Sequence, residues 1–539
     1  MKMKKLIAFG LACAMALFAF TSCGGNQSEQ TSTTSGSTET SSTSASTSAS
    51  TSASTSASTS ATTEKTDPEP IKTYTAEIIA ADGTKYEVVC DGAFDDDNVV
   101  LQFGLISDLH QNESKAQDND VKLRNALKTI KNLAGGKLDL IACSGDITDN
   151  GTEKQLNQFK GIYEEVFDVS SVPFVYCMGN HDAGADTYPS IGNFRKWLGD
   201  EYFEVDTDAD ALKKGNRHCI IGGYHFISLM PQTFSSYGEV VFSQATLDWL
   251  DKTLAEITTE NPDQAVFVIS HAMPYDTCYG SDLKTGTAET ALGWYSRNIL
   301  SVLEKYNQVI TFSGHLHFPL NDERSIMQTG FTAVGCASTR YMAIENGGYE
   351  YMSSATVMAD AAEYSQGFLV SVDKAGNVRF IRLDFYNNGI IKTAWVVPAP
   401  KADGSHLTVY GKDRVKNSAP SFDGKKYGVS AYSTSSTSIT PQVTFEIPDD
   451  DDLIHDYTIT IADDTGVVKR TYKLLADFYK HTTPDEMEGE ITQILKLPIK
   501  DSNLYTIKVV ARDSWGNEGV LEYKIQADIA AGTISVAEQ

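Results

Sequence analysis

Basic residues are in short supply in this chain. Lys and Arg number 44 against 71 Asp and Glu, a formal net charge of −27 over 539 residues. A chain this acidic is repelled by phosphate backbones, which excludes long nucleic acids as partners, and it favours solubility. No C-x-x-C pair occurs among the eight cysteines, so a structural zinc site is not expected. Cys90, Cys143, Cys177, Cys219, Cys278 and Cys336 form no disulfide framework by spacing. Cys143 and Cys177 end strand-like runs and read as small buried hydrophobes. Long apolar runs are also missing: residues 6–20 form a run too short to span a bilayer.

Behind Lys2, Lys4 and Lys5, that run reads as the h-region of an export signal, residues 1–22. It leads into Phe20-Thr21-Ser22-Cys23-Gly24-Gly25, which is similar to a bacterial lipoprotein cleavage box with Cys23 as the lipidated residue; Phe20 departs from the usual aliphatic. The expected location is therefore outside the cytoplasm, lipid-anchored to the cell membrane or cell surface. Residues 23–66 are Ser, Thr and Ala with almost nothing large, a composition that cannot offset the entropy of ordering and reads as a disordered tether. In 67–98, two alternating runs flank Ala81-Asp82-Gly83, the signature of a β-hairpin.

From residue 99 the pattern changes. Apolar runs at 99–106, 138–143, 172–177, 265–270 and 309–312 are separated by helical stretches, which implies parallel βα units. Leu123, Ala126, Leu127, Ile130 and Leu133 share one helix face, and Ser243 caps a helix whose stripe is Leu247, Leu250, Leu254 and Ile257. The strands at 367–372 and 378–383 form a hairpin around Lys374-Ala375-Gly376-Asn377. Each of the five runs ends on a short polar motif: Asp108-Leu109-His110, Gly145-Asp146-Ile147-Thr148-Asp149, Gly179-Asn180-His181-Asp182, His271, and Gly314-His315-Leu316-His317. Ligands bind at the carboxyl edge of such sheets, so the motifs converge. Asp, His and Asn are the donors that suit paired divalent cations.

In order and spacing these motifs resemble the calcineurin-like metallophosphoesterase superfamily, whose pattern is D-x-H, G-D-x-x-D, G-N-H-D/E, a lone His and G-H-x-H. One piece alone occurs by chance; five in order, each after a strand, are specific. The resemblance covers 99–398 and implies an α/β fold, a four-layer sandwich of two mixed sheets flanked by helices. It implies two divalent metal ions (Mn, Fe or Zn). Asp108, His110 and His317 would hold one, Asn180, His271 and His315 the other, and Asp146 would bridge them. The ions would share a hydroxide that attacks phosphorus. His181 would contact the phosphoryl group or protonate the leaving oxygen, with Asp182 orienting its ring, and Asp149 would orient a metal ligand.

Residues 399–435 read as a polar linker. In 436–527, short strands without helices point to a C-terminal all-β sandwich domain, and 528–539 reads as a tail. The segment from Tyr505 to Asn517 resembles the late strand of fibronectin type III domains, with Tyr505 as the tyrosine-corner residue. Every candidate ligand precedes Pro319, so removing the sandwich is expected to spare small-ester chemistry. The runs Asp95-Asp96-Asp97 and Asp449-Asp450-Asp451-Asp452 read as solvated turns rather than calcium sites. Tyr275, Tyr279 and Trp294 either line the pocket or pack in loops; His218, His225, His406, His455 and His481 receive no role. Function then stands between three readings. They are a surface phosphoesterase for small phosphomonoesters or phosphodiesters such as nucleotides, an enzyme for an envelope polymer or phospholipid docked through the sandwich to a cell-envelope partner, and a non-catalytic metal-containing surface lipoprotein.

Overall fold

The computed structural model describes residues 73–182, 191–230, 233–234, 239–282, 295–345, 349, 360–412, 414 and 417–537. The signal 1–22, Cys23, the tether 23–66 and Trp294 lie outside the described residues. Among the described residues no helix is long and apolar enough to cross a membrane.

Tyr74–Ile79 and Lys85–Cys90 pair antiparallel as the expected hairpin. Its Asp-Gly turn needs a left-handed residue, which Gly83 supplies at φ 86°. The first large sheet runs Gly389–Ile390, Val378–Asp384, Gln366–Asp373, Val99–Ile106, Leu140–Cys143, Phe174–Tyr176, with Trp395–Val397 also on Val378–Asp384. Val99–Ile106, Leu140–Cys143 and Phe174–Tyr176 are parallel, and Gln366–Asp373 and its hairpin partner are antiparallel. The second sheet runs Ile326–Gln328, Thr332–Gly335, Val309–Ser313, Val266–Ser270, Tyr224–Leu229, Arg217–Ile221. Its four middle strands are parallel and its two edges antiparallel.

Near-continuous apolar strands are what a sheet buried on both faces requires, and both sheets are. Phe103 of the first sheet meets Phe226 at 5.3 Å and Phe267 at 5.2 Å in the second, edge to face. On the other face of the first sheet, Ile106, Ile141 and Cys143 share a core with Leu123, Leu127 and Ile130 of the helix Ala116–Leu133 and with Leu156 and Phe159 of Glu153–Val166. The helix Gln244–Glu260 buries Leu247, Leu250, Leu254 and Ile257 in the core of the second sheet, and Ser243 Oγ caps it by accepting from Thr246 N at 3.2 Å. This is an α/β domain with two mixed sheets.

The C-terminal region is strand-rich and consistent with a β-sandwich: Tyr427–Thr434, Ile439–Glu446 and Glu490–Ile494 form one antiparallel sheet, and Val468–Leu475, Ile454–Ala462, Leu504–Asp513, Glu518–Asp528 and Thr533–Val536 the other. Two of these strands fall where the sequence suggests linker and tail. Most side chains of Tyr427–Thr434 are exposed, and the strand is rich in Ser, Thr and Gly; Thr533–Val536 is short and pairs with Glu518–Asp528. Tyr505 also departs from expectation: its hydroxyl donates to the Asp501 carboxylate at 3.3 Å and not to backbone.

The sandwich is not a free appendage. Its buried residues, among them Ile454, Tyr457 and Phe478, belong to the same apolar cluster as Phe267 and Phe312. Buried charges cross the junction. Glu323 pairs with Arg382 at 2.9 Å and Lys392 at 2.8 Å, and Lys392 also pairs with Asp452. Asp452, read from sequence as part of a solvated turn, is therefore a buried ion-pair partner. His455 Nδ1 donates to Asp456 at 2.7 Å, while its Nε2 faces Tyr279 Oη at 3.2 Å and Arg324 Nη2 at 3.3 Å. Tyr279 is thus a packing residue, with its ring 4.5 Å from that of Phe318, next to His317. Removing the sandwich would therefore uncover buried charge and apolar surface of the α/β core.

Candidate metal centre

Each motif leaves the carboxyl end of a strand in a sharp turn. Non-glycine residues rarely adopt positive φ, at a cost of about 1–3 kcal/mol each. Nine do so among the described residues, and five of them are Asp108 (52°), His110 (45°), Asp146 (51°), His315 (72°) and His317 (57°). Backbone strain is thus concentrated on the residues whose side chains converge. The motif glycines are required by close approach: a Cβ on Gly179 would lie 2.1 Å from Asp146 Oδ1, and one on Gly314 would lie 2.5 Å from Asp108 Oδ2.

Three groups could each hold an ion: Asp108, His110 and His317; Asp146, His271 and His315; and His110, Asp149 and His181, which shares His110 with the first. In the first, His317 Nε2 lies 2.9 Å from Asp108 Oδ1 and 3.2 Å from His110 Nε2. In the second, His271 Nε2 lies 3.3 Å from Asp146 Oδ2, 3.1 Å from Asn180 Oδ1 and 3.2 Å from His315 Nδ1. Asn180 Oδ1 is 2.7 Å from His315 Nδ1. Asp146 Oδ2 also lies 3.7 Å from His110 Nε2, so this carboxylate faces both groups.

The far side of the rings decides what these contacts mean. His271 Nδ1 is 2.8 Å from the Ser144 carbonyl and His317 Nδ1 is 3.0 Å from that of Tyr341. A carbonyl only accepts, so both Nδ1 atoms carry protons. In the neutral rings the Nε2 lone pairs then point at carboxylate and amide oxygens and at one another. Facing lone pairs repel unless a cation sits between them, and an imidazole fixed by a backbone carbonyl behind it is the usual arrangement of a metal ligand. The donor set therefore fits divalent ions. Without one, protons take that place. Burial opposes charge on these rings, yet the Asp108 bond pushes His110 up to about 9 and Asp146 pushes His271 up to about 9. Burial keeps His315 and His317 below the ordinary histidine value. Burial alone would raise Asp108 and Asp146, but the rings against them hold both carboxyls below the usual range.

His181 stands outside the two ligand sets, and its side chain is 40% exposed. Its backbone N donates to Asp146 Oδ1 at 2.8 Å, and its Nδ1 donates to the Asp149 carbonyl at 2.9 Å. Asp182, expected to orient this ring, does something else. Its carboxylate accepts from Ile147 N, Thr148 N, Thr148 Oγ1 and Gly179 N at 2.8–3.2 Å, stitching two motif loops together. Burial, with Asp146 adding to it, pushes this carboxyl up to about 6. Ring orientation falls to Asp149, whose Oδ1 also lies 3.3 Å from His110 Nδ1.

Three neighbours escaped the sequence reading. Asn112 Nδ2 donates to Asp149 Oδ2 at 2.5 Å, and Arg340 Nη1 donates to Asp149 Oδ1 at 2.8 Å. The Tyr341 ring lies 4.1 Å from that of His317. Asn112 is two residues past the D-x-H motif and could have been suspected. Arg340 and Tyr341 follow the strand Thr332–Gly335, which ends on no recognisable motif.

Comparison with known proteins agrees with this geometry. Residues 101–319 match the family described as calcineurin-like phosphoesterase, and this segment is a calcineurin-like phosphoesterase domain. Over 210 residues (38% of its length) the chain is 29% identical to a cAMP/cGMP dual specificity phosphodiesterase of Mycobacterium tuberculosis. Over 222 residues (39%) it is 28% identical to a probable glycerophosphodiester phosphodiesterase of Arcobacter nitrofigilis. Over 160 residues (29%) it is 28% identical to a probable cyclic nucleotide phosphodiesterase of Rhodococcus erythropolis. The chain spans 57%, 70% and 46% of these relatives' own lengths.

Proposed function

We propose that this protein hydrolyses small phosphoesters, phosphodiesters foremost, at a centre of two divalent ions (Mn, Fe or Zn). The observation that carries the proposal is the pair of rings His271 and His317, each holding its Nδ1 proton on a backbone carbonyl while its Nε2 lone pair faces other acceptors. Asp108, His110 and His317 would hold one ion and Asn180, His271 and His315 the second, with Asp146 between them. Ions bound there would supply Lewis acidity and activate water at neutral pH. The chain's own groups do the rest. The buried Asp108 and Asp146 neutralise cationic charge, and the strained loops fix the donors before substrate arrives. His181, half-buried and held from behind by Asp149, is placed to bond a phosphoryl oxygen or to give its Nε2 proton to the departing alkoxide. The names of the relatives favour cyclic nucleotides and glycerophosphodiesters as the first substrates to try.

The same reading extends to the whole chain: a four-layer catalytic sandwich at 99–398, a fibronectin-like sandwich from 436, and a lipid on Cys23 that anchors the exported protein through the 23–66 tether. The deciding experiment measures hydrolysis of a cyclic nucleotide, a glycerophosphodiester and a phosphomonoester before and after exhaustive chelation, then with each metal added back. Metal-restored turnover is expected, strongest on diesters. Full activity in chelated protein, or no turnover with any metal, would refute the proposal.

A further inference from the structure

Beside the candidate centre one cationic side chain is held at every polar point of its main chain. Arg340 N donates to Ser338 Oγ at 3.0 Å, and that hydroxyl donates to the Asp108 carbonyl at 3.1 Å. The Arg340 carbonyl accepts from Lys122 Nζ at 2.5 Å. Lys122, on the helix Ala116–Leu133, also donates to the carbonyls of Ala362 and of Tyr364, the latter at 2.7 Å. An ammonium has three donors, and here all three go to backbone oxygens of two loops. The Arg340 guanidinium, fixed in this way, bonds Asp149 Oδ1, while Asn112 bonds Oδ2. Asp149 in turn faces His110 Nδ1 with its carboxylate and holds His181 Nδ1 with its carbonyl; its Oδ1 stays 3.8 Å from that same nitrogen.

We propose that Arg340, itself fixed by Lys122, is a positioning residue that clamps the Asp149 carboxylate so that His181 stays on the Asp149 carbonyl, with Nε2 turned to the departing oxygen of the substrate. This rests on the proposed function in one respect, that His181 serves the leaving group. Without the guanidinium, Asp149 Oδ1 loses its charged partner, and only Asn112 on Oδ2 and His110 Nδ1 at 3.3 Å oppose rotation of the carboxylate onto His181 Nδ1, which would draw the ring with it. A lysine at this position would supply a charge without the planar fork, and only partial replacement is expected.

The test uses the full chain loaded with Mn²⁺, comparing Arg340→Ala, Arg340→Lys and Lys122→Met with the wild type on an alkyl and a p-nitrophenyl phosphodiester. Loss of an outer partner of an active-site group typically costs 10–100-fold. For Arg340→Ala, kcat on the alkyl ester should fall by about that factor, with KM unchanged and the p-nitrophenyl ester within about threefold, since it needs no proton on departure. Bound metal, by elemental analysis, should stay at the wild-type level. Millimolar guanidinium should restore part of the alkyl-ester turnover in Arg340→Ala, and Lys122→Met should show the same pattern at smaller size. Metal loss, an equal fall on both esters, or a raised KM at constant kcat would overturn the clamp. If the wild type hydrolyses neither ester, the proposed function fails, and a crystal structure of Arg340→Ala still judges the clamp: a His181 ring unmoved from the Asp149 carbonyl overturns it.

Discussion

Two buried charge clusters in this protein obey opposite rules. At the junction with the C-terminal sandwich, the carboxylates of Asp322, Glu323, Asp452 and Asp456 each meet a cation, respectively Arg324, Arg382 with Lys392, Lys392, and Arg512. Two further polar groups join them: Trp395 Nε1 donates to Glu323 Oε2 at 2.9 Å, and Ser514 Oγ donates to Asp452. At the metal centre, by contrast, carboxylates, an amide oxygen and imidazole lone pairs face one another. Buried charge is tolerated only when compensated. The junction compensates itself with side chains, whereas the centre is built to be completed by something from outside the chain. The difference separates a cluster that holds the molecule together from one whose donors fit metal ions.

The sharpest break of that comparison is to damage the shared acceptor. Asp146→Asn should strip metal from both groups and bring turnover to background, because Asp146 faces both; elemental analysis reads the first and initial rates the second. Retention of two ions would show that the groups do not depend on Asp146. His181→Ala should keep the metal and lower kcat by roughly 10²–10⁴, the usual share of a general acid. Its loss should be smaller for acidic leaving groups, and metal loss here would place His181 among the ligands.

Damage at the junction should instead register as stability. Lys392→Met leaves Glu323 and Asp452 short of a partner inside the protein, and breaking a buried pair from one side costs about 3–5 kcal/mol. A thermal or denaturant melt should show this, with metal content per folded molecule unchanged. Removing the whole sandwich exposes the same charges and the apolar face beneath them, so the truncated chain is expected to fold poorly. A well-folded, active truncation would show the junction to be dispensable.

Acid should take the clusters apart in sequence. Burial would raise the carboxyls of Asp322, Glu323 and Asp456, but the Arg, Lys and His partners outweigh it and hold all three below their ordinary values. Groups depressed in the folded state stabilise it above the unfolded carboxylate pKa of about 4, and that contribution is lost as pH falls further. Imidazole ligands must be unprotonated to bind metal. Metal should therefore leave at mildly acid pH from a protein that still melts cooperatively, and stability should fall only below about pH 4. Simultaneous loss of both would mean that the metal holds the fold. The smallest effect belongs to an exposed pair such as Lys85 and Glu77, 2.9 Å apart in the hairpin. Lys85→Ala should change stability by less than about 1 kcal/mol.

The legibility of this protein follows from where each constraint resides. Side-chain identity and strand-end placement are properties of the sequence. The residues Asp108, His110, Asp146, Asn180, His271, His315 and His317, the mixed α/β domain and the β-rich region after it could accordingly be read in advance. The hairpin turn and the Ser243 cap are equally local. What the sequence could not settle depends on partners that carry no residue signature. His271 and His317 are oriented by the carbonyls of Ser144 and Tyr341, and any residue can offer a carbonyl. For the same reason the role that the resemblance implied for Asp182, orienting His181, was not checkable in the sequence: the fold brings it the amides of Ile147, Thr148 and Gly179. Arg340 reaches Asp149 across 191 positions, and Lys392 reaches Asp452 at the junction. The sequence by itself determined which chemistry the chain could carry out. Only the tertiary structure decided which lone pairs face inward, which charges are spent on cohesion, and that the sandwich belongs to the same core.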